Sequence, residues 1–184
     1  FSSALLTIES GGQFDVPSGY TNHDEILLAD GDALITGSVL TNRGLLRGSG
    51  RILAVVDNEA DGGIEVADGE LDFISDLSNK NQISVINGTL RVQGEIMNAS
   101  STGFIAGENA TFHFSDGFTN NGAVALSFGT SRVFGDIEND GGTITVSGAS
   151  NVTFYDDVVN EGTIHVSAGT NAVYFGAVSG SGSF

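Results

Sequence analysis

A short phrase recurs along this chain: Asn, one or two small or polar residues, Gly, and then apolar–polar–apolar. The clearest copies are Asn139-Asp140-Gly141-Gly142-Thr143-Ile144-Thr145-Val146 and Asn160-Glu161-Gly162-Thr163-Ile164-His165-Val166. Looser copies begin at Asn22, Asn42, Asn58, Asn79, Asn98 and Asn120, and Gly180 takes the same slot before Phe184. Successive starts lie 20, 16, 21, 19, 22, 19, 21 and 20 residues apart. A period this narrow marks stacked repeats, each too small to bury an apolar face alone.

Each repeat holds a second strand after a glycine turn. Short turns precede Phe14-Asp15-Val16, Leu71-Asp72-Phe73 and Leu90-Arg91-Val92. Turns two residues longer run from Gly148 to Val152-Thr153-Phe154 and from Gly169 to Val173-Tyr174-Phe175. Strand side chains alternate faces with period two, so an insertion of two keeps the apolar set pointing inward. A third apolar patch closes each repeat, as in Val39-Leu40, Val55-Val56, Ile96-Met97 and Val158-Val159. No segment keeps a helical period.

The pattern therefore predicts a right-handed parallel β-helix of about nine coils of roughly 20 residues, a single domain over 1–184. At about 4.8 Å per coil the rod would be roughly 40 Å long. The expected core comprises Ile64, Val66, Leu71, Phe73, Val85, Leu90, Val92, Phe112, Phe114, Ile144, Val146, Phe154, Ile164, Val166 and Phe175. An antiparallel sandwich also uses short strands and glycine turns, but the phrase returns once per two or three strands, not once per hairpin.

The phrase, with stretches such as Gly44-Leu45-Leu46-Arg47-Gly48-Ser49-Gly50-Arg51-Ile52, resembles the pectin-lyase-like β-helix repeats of bacterial autotransporter passengers and large secreted adhesins. The resemblance covers essentially the whole chain. It implies secretion across a bacterial envelope and display at the cell surface, as an adhesin stalk or fibre subunit. Such rods also include carbohydrate-binding and carbohydrate-active proteins, which is the alternative reading.

Charge narrows the partners. With 23 acidic against 6 basic residues the chain carries a net charge of −17. No basic stripe exists to neutralise phosphates, which argues against nucleic acid. No apolar run is long enough for insertion into a membrane. Cysteine is absent, so neither disulfides nor thiolate metal sites arise. Only Arg43, Arg47 and Arg51 cluster, and they are expected to neutralise Asp57 and Glu59 rather than to hold a uronate. An acidic rod would repel a polyanionic substrate, so no enzymatic activity is expected.

Stacked asparagines at equivalent corners can bond amide to amide. Asn22, Asn42, Asn58, Asn79, Asn98, Asn120, Asn139 and Asn160 are read as such a structural ladder, interrupted near Asn58, where one coil is four residues short. Asp57, Glu59 and Asp61 beside that coil are weak candidates for calcium, through oxygen ligands at a turn. The groups Asp30/Asp32, Asp68/Glu70/Asp72, Glu138/Asp140 and Asp156/Asp157 are read as solvated charge. No cofactor is expected otherwise. His23, His113 and His165 are expected to be solvated. Asn-x-Ser/Thr sequences at Asn87, Asn98, Asn109 and Asn151 are ascribed to chance in a chain rich in these residues.

Neither terminal stretch reads as a solenoid cap. Phe1, Leu5, Leu6, Phe175 and Phe184 are therefore expected to associate axially with further β-helix coils or with copies of the chain, head to tail. Cell-surface glycans are the other class of partner that the resemblance implies.

Overall fold

The computed structural model describes residues 4–184. Phe1 lies outside the described residues. The chain is an all-β parallel solenoid of about nine turns, roughly 20 residues each, with no helix among the described residues. Each turn contributes strands to three faces. Strands such as Gln82–Ile86, Phe104–Glu108 and Thr143–Ser147 build the first face, and Thr89–Val92, Thr111–Phe114 and Asn151–Phe154 the second. Short strands such as Leu77–Asn79, Ile96–Asn98 and Val158–Asn160 build the third.

The pairings run parallel, coil upon coil: Ile64 aligns with Ile83, Ile83 with Ile105, Val124 with Ile144, and Ile144 with Ile164. Two long strands, Glu25–Gly37 and Leu45–Ile52, run round the corner between the first and second faces and join them into one 16-stranded sheet. The third face is a separate nine-stranded sheet.

Alternation decides what is buried. In Thr143–Ser147 the two apolar residues, Ile144 and Val146, are buried while the polar ones are not. Three faces of this kind enclose one continuous core of stacked aliphatics and aromatics. Its packing is complementary between coils. Gly107 stands where neighbouring coils place Val85 and Leu126, and a Cβ there would come within 2.8 Å of the Phe112 ring. The large ring fills the place of the missing side chain.

The short coil is accommodated at its corners. Ala29 aligns with Ser49 but Leu34 with Arg51, which removes three residues between the first and second faces. Ile35 aligns with Ile52 and Val39 with Val55, which removes the fourth. The register on the third face is restored before Asn58.

Two expected core positions differ. Phe175 is 70% exposed, because Val152 aligns with Ala172 and Phe154 with Tyr174. The turn after Gly169 is one residue shorter than its sequence likeness to Gly148 suggests, and a single-residue slip exchanges the two faces of a strand. Ala172 and Tyr174 point inward, and Val173 and Phe175 outward. Val166 does point inward, aligned with Val146, yet is 42% exposed because no described coil lies over it.

Candidate functional site

The asparagine corner is the most regular construction in the molecule. Each ladder residue ends a third-face strand and turns its amide into the rod, where all eight are buried. Nδ2 of Asn22 donates to Oδ1 of Asn42 at 2.8 Å, and the same bond links Asn42 to Asn58, Asn58 to Asn79, Asn79 to Asn98 and Asn98 to Asn120, each at 2.8 Å. Asn120 to Asn139 and Asn139 to Asn160 follow at 2.7 Å. The interruption expected near Asn58 does not occur, since the missing residues leave the other two corners.

The remaining amide atoms hold the turn itself. Asn79 Nδ2 donates to Asn81 O at 2.9 Å, and Asn81 N donates to Asn79 Oδ1 at 3.3 Å. This double bond to the residue two positions on is how a short amide side chain shapes a turn. The glycine that follows has a steric cause as well. A Cβ on Gly162 would lie 2.8 Å from Asn139 Nδ2, so a side chain there would strike the ladder.

A second column was not read from the sequence. On the outer side of the second face, His113, Phe134, Tyr155 and Phe175 stack along the rod. Ring centroids are 4.5 Å apart for His113–Phe134, 4.3 Å for Phe134–Tyr155 and 5.4 Å for Tyr155–Phe175, the first two pairs nearly parallel. His113 is thus not a freely solvated imidazole. Desolvation beneath Phe134, with Arg91 nearby, lowers its pKa below the ordinary 6.5. The signal available in the sequence was the outward aromatic after each inward apolar residue: Phe112-His113, Val133-Phe134, Phe154-Tyr155, Tyr174-Phe175.

The arginines do not form one group. Arg43 faces Glu59 and Asp61 at 3.7 and 3.6 Å, whereas Arg47 pairs with Glu25 at 2.5 Å and Arg51 with Asp72 at 3.6 Å. Glu59 also accepts from Lys80 at 2.7 Å. That bond, then the positive charges of Lys80 and Arg43, outweigh desolvation and lower the Glu59 pKa, while the same bond raises that of Lys80. Two of the three calcium candidates, Glu59 and Asp61, thus face cations, and Asp57 lies on the outward row of the third face. Among the described residues no three His, Asp or Glu side chains converge in metal-holding geometry.

Two carboxylates read as solvated serve the backbone: Asp156 accepts from Gly135 N and Asp157 from Ala177 N, both at 2.7 Å. Asp136 likewise accepts from Asp157 N at 3.2 Å. These bonds brace the corner between the second and third faces. Alongside lie two open grooves. One, of 310 Å³, runs between the aromatic column and Asp136 and Asp156; the other, of 620 Å³, follows the third face past Glu95, Asp116, Glu138 and Met97.

Of the axial residues, Leu6 packs half-buried against the core, while Leu5 is exposed and faces outward, aligned with Glu25. Phe175 ends the outer column on the flank of the rod. Phe184 follows Ser183, which bridges to Thr163, and so stands over Ile164.

Fold and corner together define a parallel β-solenoid protein stapled by a buried asparagine ladder. Comparisons of the chain with family models, with curated proteins and with solved structures give no match.

Proposed function

We propose that this chain forms an extracellular structural rod, an adhesin stalk or a self-associating fibre subunit of bacterial origin, akin to autotransporter passengers. One observation carries the reading. The buried amide bonds run unbroken from Asn22 to Asn160 while successive rungs lie 16 to 22 residues apart, so axial stacking is kept whatever the coil length. A stack of parallel strands is also a template for another strand of the same kind. Strong acidity keeps the flanks of neighbouring rods apart and directs contact to the axis.

The test is the association state of residues 1–184. Negative-stain microscopy and light scattering should show rods whose length grows with concentration, and Val166→Lys should shorten them. A chain that stays monomeric at millimolar concentration overturns the fibre-subunit reading.

A carbohydrate-binding role is the second reading, supported by the groove where Asp136 and Asp156 flank the outer aromatic column. Its rings stack on one another, and Phe175 is the most open of them at 70% exposure. Retention of the chain on immobilised neutral glycans, lost in Phe175→Ala, is the outcome that would favour it.

A further inference from the structure

Folding makes the four Asn-x-Ser/Thr sequences unequal. Asn98 is buried in the ladder, and both hydrogens of its amide are engaged: Nδ2 donates to Asn120 Oδ1 at 2.8 Å, Ala123 O at 3.1 Å and Gly103 O at 3.2 Å. Asn87, Asn109 and Asn151 are all exposed. They share one edge of the rod, the corner between the first and second faces. Asn109 Nδ2 donates to Asn87 Oδ1 at 3.1 Å, Thr130 N donates to Asn109 Oδ1 at 3.3 Å, and Thr130 pairs in register with Asn151. An N-glycosidic amide keeps one hydrogen. Asn109 needs only one for its bond to Asn87, and Asn87 and Asn151 donate theirs to no described residue.

A separate observation falls on the same edge. Phe128 occupies the corner slot next to Asn109, whose N donates to Phe128 O at 3.1 Å. Its φ is +54°, beside +49° for Asn109 and +51° for Asn87. Asparagine tolerates this left-handed region, whereas a bulky side chain there is an outlier that carries backbone strain. Gly148 of the next coil lies against part of the ring, where a Cβ would come within 3.2 Å of it, yet the ring is 59% exposed. A pyranose ring, whose C–H groups pack on aromatic faces, would cover the open part.

We propose that this edge is an N-glycan acceptor, with hexoses linked to Nδ2 of Asn87, Asn109 and Asn151, none on Asn98, and Phe128 packed against the sugar on Asn109. The sugar donor is a pyrophosphate-activated hexose, carried by a nucleoside or by a lipid. A bond forms between Nδ2 and the anomeric carbon as the anomeric C–O bond breaks. The pyrophosphate departs with the electron pair, and one Nδ2 proton passes to a base of the transferase. No redox change is involved. The inference does not rest on the fibre reading, and monomeric behaviour would leave it standing.

Two measurements decide it. In protein isolated from the cell that makes it, peptide mapping by mass spectrometry should find hexose on Asn87, Asn109 and Asn151 and a bare Asn98. Three bare edge asparagines, or a sugar on Asn98, overturn the proposal. The second compares Phe128→Gly in chains with and without the sugars. Relief of backbone strain should raise the melting temperature of the bare chain, and loss of the sugar contact should cancel or reverse that gain in the glycosylated one. Equal shifts in both forms overturn the role given to Phe128.

Discussion

Asn42 Nδ2 meets Asn58 Oδ1 at 2.8 Å across a coil of 16 residues, the same distance that joins Asn58 to Asn79 across 21. Coil length is therefore free to vary at the other corners so long as the buried amides stay in line. An unpaired amide inside the rod would be costly. The ladder acts as the register mark of the solenoid.

Removing a rung from the middle should be among the more damaging polar substitutions available. Asn98→Ala takes the ladder acceptor from Asn79 Nδ2 and the ladder donor from Asn120 Oδ1, at about 2–4 kcal/mol for the two buried groups. Urea unfolding of this variant should show the loss, while the exposed Gln82→Ala should stay within about 0.5 kcal/mol of the parent.

Core aromatics should matter more than those on the flank. Phe154 is buried and stacks on Tyr174 at 4.9 Å, so Phe154→Ala should cost about 3–5 kcal/mol. Phe134→Ala, on the half-exposed outer column, should cost clearly less in the same denaturant titration.

His113 gives the rod an acid-sensitive point. Its folded pKa is lowered, chiefly by desolvation, so below pH 6.5 the unfolded chain binds the proton more readily. Stability should therefore fall as pH drops from 6.5 through the lowered value, and show no such dependence above 6.5. Melting curves from about pH 7 to about pH 5 should reveal this component, and His113→Phe should remove it.

The Lys80–Glu59 pair should change at the two extremes of pH. Glu59 is lowered from 4.5 and Lys80 raised from 10.5 by their mutual bond. The carboxylate's contribution is present above 4.5 and is lost as pH falls through its lowered value. The lysine's is present below 10.5 and is lost as pH rises through its raised one. Lys80→Ala should thus destabilise near neutral pH by under about 1 kcal/mol, as exposed pairs do, and the difference should vanish in strong acid.

The particular residues show what a repeat reveals and where it stops. Asn139 and Asn160 announce the coil because a buried ladder tolerates no substitute for the amide. Ile144 and Ile164 announce the inward face because alternation within a strand is local. Likeness to the turn after Gly148 points Phe175 inward, but the turn from Gly169 to the strand is one residue shorter, and composition does not reveal that count. Arg47 and Arg51 lie close in the chain, yet a strand turns its outward side chains toward adjacent coils, here toward Glu25 and Asp72.

By itself the sequence determined the period, the parallel stacking and the asparagine corner, since each follows from residue order within one coil. Only the tertiary structure decided which outward residues meet. Those contacts join positions about 20 residues apart, and their alignment depends on the length of every intervening turn. The aromatic column, the braced carboxylates and the burial of Asn98 beside an exposed Asn87 all come from that alignment.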